Sequence, residues 1–238
     1  MWVFLSSHQL DEGQFLLKAV IFDMDGVLID SEPVHVKAEM KTFAAHGVKL
    51  TVEALQANMG KGMREFFAEL IGKCELKIHV DDLVLEHKKT LAMLYSEEVA
   101  VMPGARELID SCRNEALTLA VASSTDRDLI LMILGKLKML TVFDVIVSGE
   151  EVANYKPSPD IFLETVRRLN LLPEECVIIE DSSAGVNAAE SARIPCIGFR
   201  SPNSGPQDLS SARLIVDSLT ALDTHCLRRV VSGYSEHR

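Results

Sequence analysis

The 238-residue sequence has few basic residues, and those that it has are not clustered. Lys and Arg number 24 against 35 Asp and Glu, which gives a formal net charge of −11 at pH 7. Proteins that bind the nucleic-acid backbone need a basic stripe or patch, so no nucleic-acid partner is expected. An anionic ligand is compatible with this charge only where single basic side chains converge on it.

Cysteine clusters and long apolar runs are also missing. The five cysteines are scattered without a CxxC or a Cys/His cluster, which argues against a zinc site and a disulfide framework. No apolar run approaches the roughly 20 residues that cross a bilayer, so we expect a cytoplasmic protein without a membrane partner. Residues 1–17 lack a basic start and contain Asp11 and Glu12, so we predict an N-terminal extension rather than a signal peptide.

Short apolar runs alternate with helical patterns along most of the chain. Runs that are apolar at consecutive positions suit strands covered on both faces, as in a parallel sheet. Strands are predicted at residues 19–22, 118–122, 145–147, 177–179, 196–199 and, more weakly, 214–216. Helices are predicted at residues 105–114, 126–134, 159–169 and 184–192. The alternation predicts an α/β core with a doubly wound, Rossmann-like parallel sheet.

One long stretch, residues 31–101, contains no convincing strand. Its patterns predict helices at 33–46, 52–58, 63–71 and 80–97, with Pro33 in a first turn and Gly47 after a last one. Pro103 and Gly104 mark the return to the core. We therefore predict an α-helical domain at 32–101 inserted into a core made of 18–31 and 102–238, with hinges near 30–31 and 101–104.

Polar side chains follow four of the predicted strands. Ligands of doubly wound sheets bind outside the carboxyl ends of the strands, so these side chains are expected to meet at one edge. A single acidic turn is usually only solvated, but four polar strand ends at one edge indicate a ligand site. In chain order they are Asp23 with Asp25, then Ser123, then Lys156 after a loop, and then Glu180 with Asp181.

The charges of this set indicate a metal ion. Asp23, Glu180 and Asp181 would gather negative charge that is costly without a cation. Oxygen ligands of this kind suit Mg²⁺, which takes one or two carboxylates, several waters and a substrate phosphate. Lys156 and Ser123 could then hold the oxygens of a transferring phosphoryl group.

Asp25 has a separate role in this interpretation. It stands two residues beyond Asp23, and Gly26 lets the chain turn sharply after it. From there it could reach the leaving oxygen on the far side of the phosphorus, first as general acid and later as general base.

Four segments resemble the motifs of the haloacid dehalogenase superfamily: DMDG at 23–26, Ser123 after an apolar strand, Lys156 in KPSPDIF, and the acidic pair in VIIEDSSAG. The resemblance runs from Lys18 to about Val216 and is greatest to the phosphatase branch with a helical cap, the β-phosphoglucomutase-like group.

The resemblance implies that Asp23 is the nucleophile that forms an aspartyl phosphate and that Asp25 is the acid/base. It also implies that Asp23, Asp181 and the backbone carbonyl of Asp25 hold Mg²⁺, with Glu180 at or just outside the ligand shell. Because the dehalogenating members lack a second Asp at the position of Asp25, its presence favours phosphoryl chemistry.

The inserted helices are expected to close over the site and to choose the substrate. His35, Lys61 and Arg64 resemble the substrate-facing positions of the family, and Arg64 offers a bidentate fork to an anion or hydroxyl. Glu32, beside the hinge, and Ser124, after the second motif, are further candidates for substrate binding.

The run after Ser123 bears on the reaction. Mutases of the group tend to carry a Ser-Lys-Asn-like run there, which holds a distal phosphate, whereas this chain has Ser124, Thr125, Asp126 and Arg127. Asp126 would repel a second phosphate, although Arg127 could partly offset it.

Three functions remain open at this point. The favoured one is a Mg²⁺-dependent phosphomonoester hydrolase, expected to be monomeric, that acts on a small sugar or polyol phosphate. The alternative is a hexose-phosphate mutase that uses the same aspartyl phosphate. The third is a non-catalytic phosphometabolite-binding protein, although all the catalytic residue types are present.

Overall fold

A computed structural model describes residues 16–56 and 63–235 and contains one six-stranded sheet. Its strands are β1 (Ala19–Phe22), β2 (Thr118–Ser123), β3 (Val145–Ser148), β4 (Cys176–Glu180), β5 (Cys196–Phe199) and β6 (Leu214–Val216). They lie in the order β3-β2-β1-β4-β5-β6, and every neighbouring pair is parallel. The predicted strands and the doubly wound α/β core are therefore confirmed.

Both faces of the sheet are covered, which explains the continuous apolar runs. Successive side chains of a strand point to opposite faces. In β1, Val20 and Phe22 join one apolar cluster while Ala19 and Ile21 join another, and all four are fully buried. A strand with two buried faces has no position that favours a polar residue.

Helices cover the two faces and fill the long interval between β1 and β2. That interval holds α1 (Glu32–Ala45), α2 (Val52–Gln56), α3 (Met63–Lys73) and α4 (Val80–Glu97). The remaining helices are α5 (Ala105–Asn114), α6 (Arg127–Lys136), α7 (Asp160–Leu169), α8 (Ser183–Ser191) and α9 (Thr224–Ser235). Residues 57 and 58 of the second predicted helix lie outside the described residues. Among the described helices, none combines the length and apolar character needed to cross a membrane.

Helix α9 was not predicted from the sequence. Its apolar side chains Leu227, Val230 and Val231 stand at the i, i+3, i+4 spacing of one helix face and are buried in the cluster that contains Phe22. The helical pattern was present, but it is short and interrupted by charged residues.

The helices between β1 and β2 share an apolar cluster of their own. Phe43 of α1 and Phe67 of α3 meet edge to face at its centre, with ring centroids 5.1 Å apart. The segments that enter and leave these helices run antiparallel: the Asp30 N–H donates to the Ala100 carbonyl at 3.1 Å. The boundaries at residues 31/32 and 101/102 stay predictions.

His87 of α4 is fully buried beside this cluster, with its ring centroid 5.1 Å from that of Phe67. Its Nδ1 lies 3.3 Å from the hydroxyl of Thr42, which already donates its proton to the Ala38 carbonyl. Nδ1 must therefore carry the proton of the neutral ring. His87 Nε2 has no hydrogen-bond partner among the described residues. Burial, with a smaller contribution from the charge of His35, lowers the pKa of His87 to about 4.

We expect His87 to make the fold sensitive to acid. Its pKa rises from about 4 in the folded chain to about 6.5 in the unfolded one, so the unfolded state binds more protons between these values. The contribution of His87 to the free energy of unfolding is complete above pH 6.5 and is lost towards pH 4, by on the order of 3 kcal/mol.

Urea unfolding at pH 7.5 and pH 5 measures this effect. His87→Leu should lose less stability between the two pH values than the wild type. His225→Leu, at an exposed position of α9, should behave as the wild type does. An unchanged pH dependence in His87→Leu would contradict the assignment.

Candidate active site

The candidate site lies where the strand order reverses, between β1 and β4. From β1 the chain proceeds to β2 and β3 on one side and then returns to β4 on the other. The Asp23 N–H continues the ladder by donating to the Ile179 carbonyl at 3.0 Å. This register places Asp23 beside the end of β4, where Glu180 is the last residue of the strand and Asp181 follows it. Doubly wound sheets bind their ligands at this crevice.

Lys156 connects the ends of three strands. Its Nζ donates to Asp23 Oδ1 at 2.5 Å, to Glu180 Oε1 at 2.8 Å and to the Ala122 carbonyl at 3.1 Å. The side chains of Lys156, Asp23 and Glu180 are 6%, 8% and 1% exposed. The ammonium group therefore uses all three of its donors in a place with almost no water.

Negative charge exceeds positive charge in this cluster. Burial raises the pKa of Asp23 to about 8; Lys156 opposes the rise, while Glu180 and Asp25 add to it. Burial also raises the pKa of Asp181 well above its usual range, with further increases from Glu180 and Asp23. Lys156 cannot balance all these carboxylates, so a bound cation would stabilise their ionised forms.

The two acidic residues at the end of β4 have different partners. Glu180 uses its second oxygen to accept from the Ser182 N–H at 2.6 Å and from the Ser182 hydroxyl at 3.0 Å. Asp181 accepts a hydrogen bond from the Ser204 hydroxyl. Gly26 has a φ of 79°, and a Cβ there would overlap the Asp181 carboxylate. Gly26 is thus needed both for its backbone conformation and for the close approach of Asp181.

A magnesium ion fits the donor set, although no ready-made cluster is present. In residues 16–56 and 63–235, no group of three or more His, Cys, Asp or Glu side chains is arranged to hold a metal ion. Mg²⁺ needs only one or two carboxylates, because water and substrate oxygens complete its octahedron. Asp23 and Asp181 supply two such carboxylates, and their raised pKa values mark a place where a cation is favourable.

Hydroxyl groups surround the Asp25 carboxylate. Thr125 donates to Oδ2 at 2.7 Å, Ser123 to Oδ2 at 3.3 Å and Tyr95 to Oδ1 at 3.3 Å. His35 Nε2 lies 3.1 Å from the Tyr95 hydroxyl and 3.8 Å from Asp25 Oδ1. Because the Tyr95 hydroxyl donates its only proton to Asp25, His35 Nε2 must donate to the Tyr95 oxygen. Burial raises the pKa of Asp25, but the nearby charge of His35 and the hydrogen bond from Thr125 outweigh it and lower the pKa.

Two cavities meet at Asp25 and His35. The first cavity, of about 310 Å³, lies between α1 and the loop after β5, and Glu32, Asp181 and Ser204 are among its lining residues. The second cavity, of about 590 Å³, lies between α4 and the turn after β2. Its lining includes Lys88, Tyr95, Ser124, Thr125 and Asp126.

The structure brings most of the sequence-predicted substrate positions to these cavities. Glu32 lines the first cavity, Ser124 the second, and His35 both. Arg64 lines neither: its side chain is 63% exposed and pairs with Asp81 at the start of α4. Lys61 lies outside the described residues.

Several residues of the site were missed from the sequence. Glu39 follows Glu32 and His35 at the i+7 and i+4 spacing of one helix face, a signal that could have found it. Burial raises the pKa of Glu39 to about 7, with Glu32 adding to the rise and His35 opposing it. Tyr95 and Lys88 have no comparable signal, since only the packing of α4 brings them to the site.

Comparison of the sequence and the fold with those of known proteins identifies several relatives. The sequence profile described as haloacid dehalogenase-like hydrolase matches residues 20–199. The phosphorylated carbohydrates phosphatase of Thermotoga maritima is 36% identical over 178 residues, which cover 75% of this chain and 82% of that protein. The crystal structure of a putative beta-phosphoglucomutase from Thermotoga maritima is 32% identical, with a TM-score of 0.75 over 93% of this chain and 100% of that one.

A longer relative is the Arabidopsis thaliana protein SUPPRESSOR OF QUENCHING 1, chloroplastic. It is 38% identical over 194 residues, which cover 77% of this chain. The chain spans 18% of the length of that protein.

We expect Tyr95→Phe to lower kcat/KM for phosphate-ester hydrolysis roughly tenfold, because Asp25 loses a charge-assisted hydrogen bond. The ring remains, so the free energy of unfolding should change by only about 1 kcal/mol. Steady-state kinetics and thermal unfolding measure the two effects. Tyr155→Phe, at a tyrosine that is 54% exposed, is the control and should leave both values unchanged. Equal losses in the two variants would refute a role for the Tyr95 hydroxyl.

We expect Mg²⁺ to stabilise the fold through Asp181. At a concentration 100 times its Kd, a ligand of the folded state adds about 2.7 kcal/mol to the free energy of unfolding. Asp181→Asn should lose most of this gain, and it should be more stable than the wild type in EDTA because it removes buried charge repulsion.

Thermal unfolding with EDTA and with a series of Mg²⁺ concentrations measures these effects. Asp208→Asn removes an exposed carboxylate from the loop after β5 and should keep the wild-type response. The same Mg²⁺ response in Asp181→Asn would exclude Asp181 as a ligand.

Proposed function

Because the chain belongs to the haloacid dehalogenase-like hydrolase family, we propose that it is a phosphomonoester hydrolase acting on a small sugar or polyol phosphate. One observation carries the proposal: the buried carboxylate of Asp23 lies at the sheet edge in contact with Lys156. Asp25, only two residues away, is held separately by hydroxyl groups. A relative with 36% identity is named a phosphatase of phosphorylated carbohydrates, which supports the substrate class.

In the first step, an oxygen of Asp23 attacks the phosphorus and the bond from phosphorus to the ester oxygen breaks. Lys156 keeps the Asp23 carboxylate in place and supplies positive charge beside it. Asp25 protonates the leaving oxygen. The contacts of Asp25 favour its ionised form, but a phosphate dianion beside it raises its proton affinity and prepares it as an acid.

In the second step, a water molecule attacks the phosphoryl group on Asp23. Asp25, now ionised, accepts a proton from this water, which is the role that its lowered pKa suits. The bond between phosphorus and the Asp23 oxygen breaks, phosphate leaves, and the free Asp23 carboxylate is regenerated. Ser123 and Thr125 fix the direction of the Asp25 carboxylate during both proton transfers.

Mg²⁺ is the proposed cofactor. The carboxylates of Asp23 and Asp181 and the backbone carbonyl of Asp25 are the groups that would hold it. When bound, Mg²⁺ neutralises charge on the transferring phosphoryl oxygens. Glu180 serves the site through its bonds to Lys156 and Ser182, so we place it beside the metal rather than on it.

Residues 32–101 form the proposed cap. His35 of α1 and Tyr95 of α4 reach Asp25 from these helices, so their placement controls the acid/base as well as access of water. Glu32, His35 and Ser124 are the proposed contacts of the substrate.

The alternative is a mutase, because a relative in the same fold is named a putative beta-phosphoglucomutase. The two reactions share the aspartyl phosphate and differ in whether water or a sugar accepts the phosphoryl group. Arg127 does not offset the negative charge of Asp126, because its guanidinium is engaged elsewhere. It donates to Glu151 at 2.8 Å and to the Ile146 carbonyl at 3.1 Å. A sugar phosphate therefore lacks this cation as an anchor, which favours water as acceptor.

We expect the protein with Mg²⁺ to release inorganic phosphate from sugar and polyol monophosphates, and Asp23→Asn to lose roughly 10³-fold or more in kcat. A metabolite panel with phosphate detection measures this. Turnover retained by Asp23→Asn would contradict the proposed nucleophile. A sugar phosphate product with little free phosphate, together with stimulation by a catalytic bisphosphate, would instead establish the mutase.

The variant Asp25→Asn distinguishes the role of Asp25 as acid/base from the role of Asp23 as nucleophile. An aryl phosphate has a good leaving group that needs little protonation, so Asp25→Asn should still release one equivalent of aryl alcohol in a burst and then stall. An alkyl phosphate should give almost no burst. Stopped-flow measurements with p-nitrophenyl phosphate and quenched-flow measurements with a sugar phosphate test this. Equal rate losses on the two substrates would exclude Asp25 as the acid.

A further inference from the structure

The second cavity has an apolar wall and an acidic rim. Side chains from α4 and α6, among them Leu91, Leu129 and Met132, form the wall. Asp126, Asp128 and Glu150 stand at the rim, where Asp128 and Glu150 are exposed and Asp126 is 35% exposed. The volume of about 590 Å³ suits a small metabolite.

Lys88 is the one Lys or Arg among the described residues that line this cavity. Its positive charge is already offset, because its Nζ donates to the Asp126 carboxylate at 2.6 Å. This bond is the main cause of the raised pKa of Lys88, with additional contributions from the negative charges of Asp126 and Glu150.

The pair also joins two parts of the fold. Lys88 belongs to α4, in the helices inserted between β1 and β2, whereas Asp126 precedes α6 in the turn that follows β2. The pair therefore connects an inserted helix to the α/β core at the second cavity. The exposed fractions of 46% for Lys88 and 35% for Asp126 mean that the pair adds little to stability.

We propose that the Lys88–Asp126 ion pair reserves the second cavity for an uncharged part of the substrate and excludes a second phosphate group. The inference rests on the proposed function and narrows its substrate class to phosphomonoesters whose remaining groups are neutral. At the rim a second phosphate would meet three carboxylates, while Lys88, the one Lys or Arg of the described lining, is already paired with one of them.

The carbon skeleton of a neutral polyol or sugar suffers no such repulsion. Its C–H faces can cover Leu91, Leu129 and Met132, and its hydroxyls can bond the rim carboxylates. Selection by the pair thus comes from a repulsive element placed against bisphosphates, not from a special affinity for monophosphates.

Binding to catalytically inactive Asp23→Asn tests the inference without turnover. Calorimetric titration in Mg²⁺ would compare glucose 1-phosphate with glucose 1,6-bisphosphate, and fructose 1-phosphate with fructose 1,6-bisphosphate. We expect each monophosphate to bind roughly tenfold more tightly than its bisphosphate, since like charges placed together oppose binding.

Three variants, each made in the Asp23→Asn protein, identify the cause. Asp126→Asn removes one negative charge and frees Lys88, so the preference should disappear or reverse. Asp128→Asn removes the same charge from the same rim but leaves Lys88 bonded to Asp126, so it is the matched control and should keep most of the preference. Lys88→Met added to Asp126→Asn should restore the preference, because the freed cation is lost again.

Three results would overturn the inference. Asp23→Asn could bind both members of each pair equally, or it could bind none of the four compounds. Asp126→Asn and Asp128→Asn could also change the preference for monophosphates equally. Hydrolysis of the monophosphates by the wild type is measured in parallel. If it is absent while the binding preference is present, the proposed function fails and the role of the ion pair stands.

Discussion

The ammonium group of Lys156, bonded to Asp23 and Glu180 with almost no water around it, is the interaction on which the rest of the site depends. Its third bond goes to the carbonyl of Ala122, so one side chain from the loop after β3 connects the ends of β1, β2 and β4. A shift of one residue in the register of any of these strands would leave a buried charge without its partner. The same three bonds of Lys156 therefore hold the reactive groups together and require this arrangement of the strands.

The two carboxylates of the DMDG segment occupy opposite electrostatic environments. Asp23 lies among other buried carboxylates, and its pKa is raised to about 8. Asp25 is held by hydroxyls and by His35, and its pKa is lowered. Carboxylates whose environments shift their pKa values apart can perform different tasks in one reaction. The pKa of Asp25 is lowered by His35 of α1 and by Thr125, which follows β2, and neither residue contributes to the raised pKa of Asp23.

The sequence allowed the sheet and its reactive edge to be predicted because parallel strands place their carboxyl ends together. Asp23, Ser123 and Glu180 could thus be assigned to one place from the apolar runs that precede them. Tyr95 could not, since it lies 70 residues from Asp25 and reaches it only through the packing of α4. Arg64 shows the same limit: the sequence suggests a substrate-facing residue, whereas in the fold its side chain pairs with Asp81.

The central claim is that Asp23 carries the phosphoryl group during turnover. An aspartyl phosphate is an acyl phosphate, so borohydride reduces that one carboxyl to an alcohol and converts the residue to homoserine. The measurement is peptide mass spectrometry of Asp25→Asn protein, mixed with an aryl phosphate and Mg²⁺ and then quenched with borohydride. The account predicts homoserine at position 23 and at no other aspartate. Homoserine at another position would contradict it, and so would release of the aryl alcohol without any homoserine.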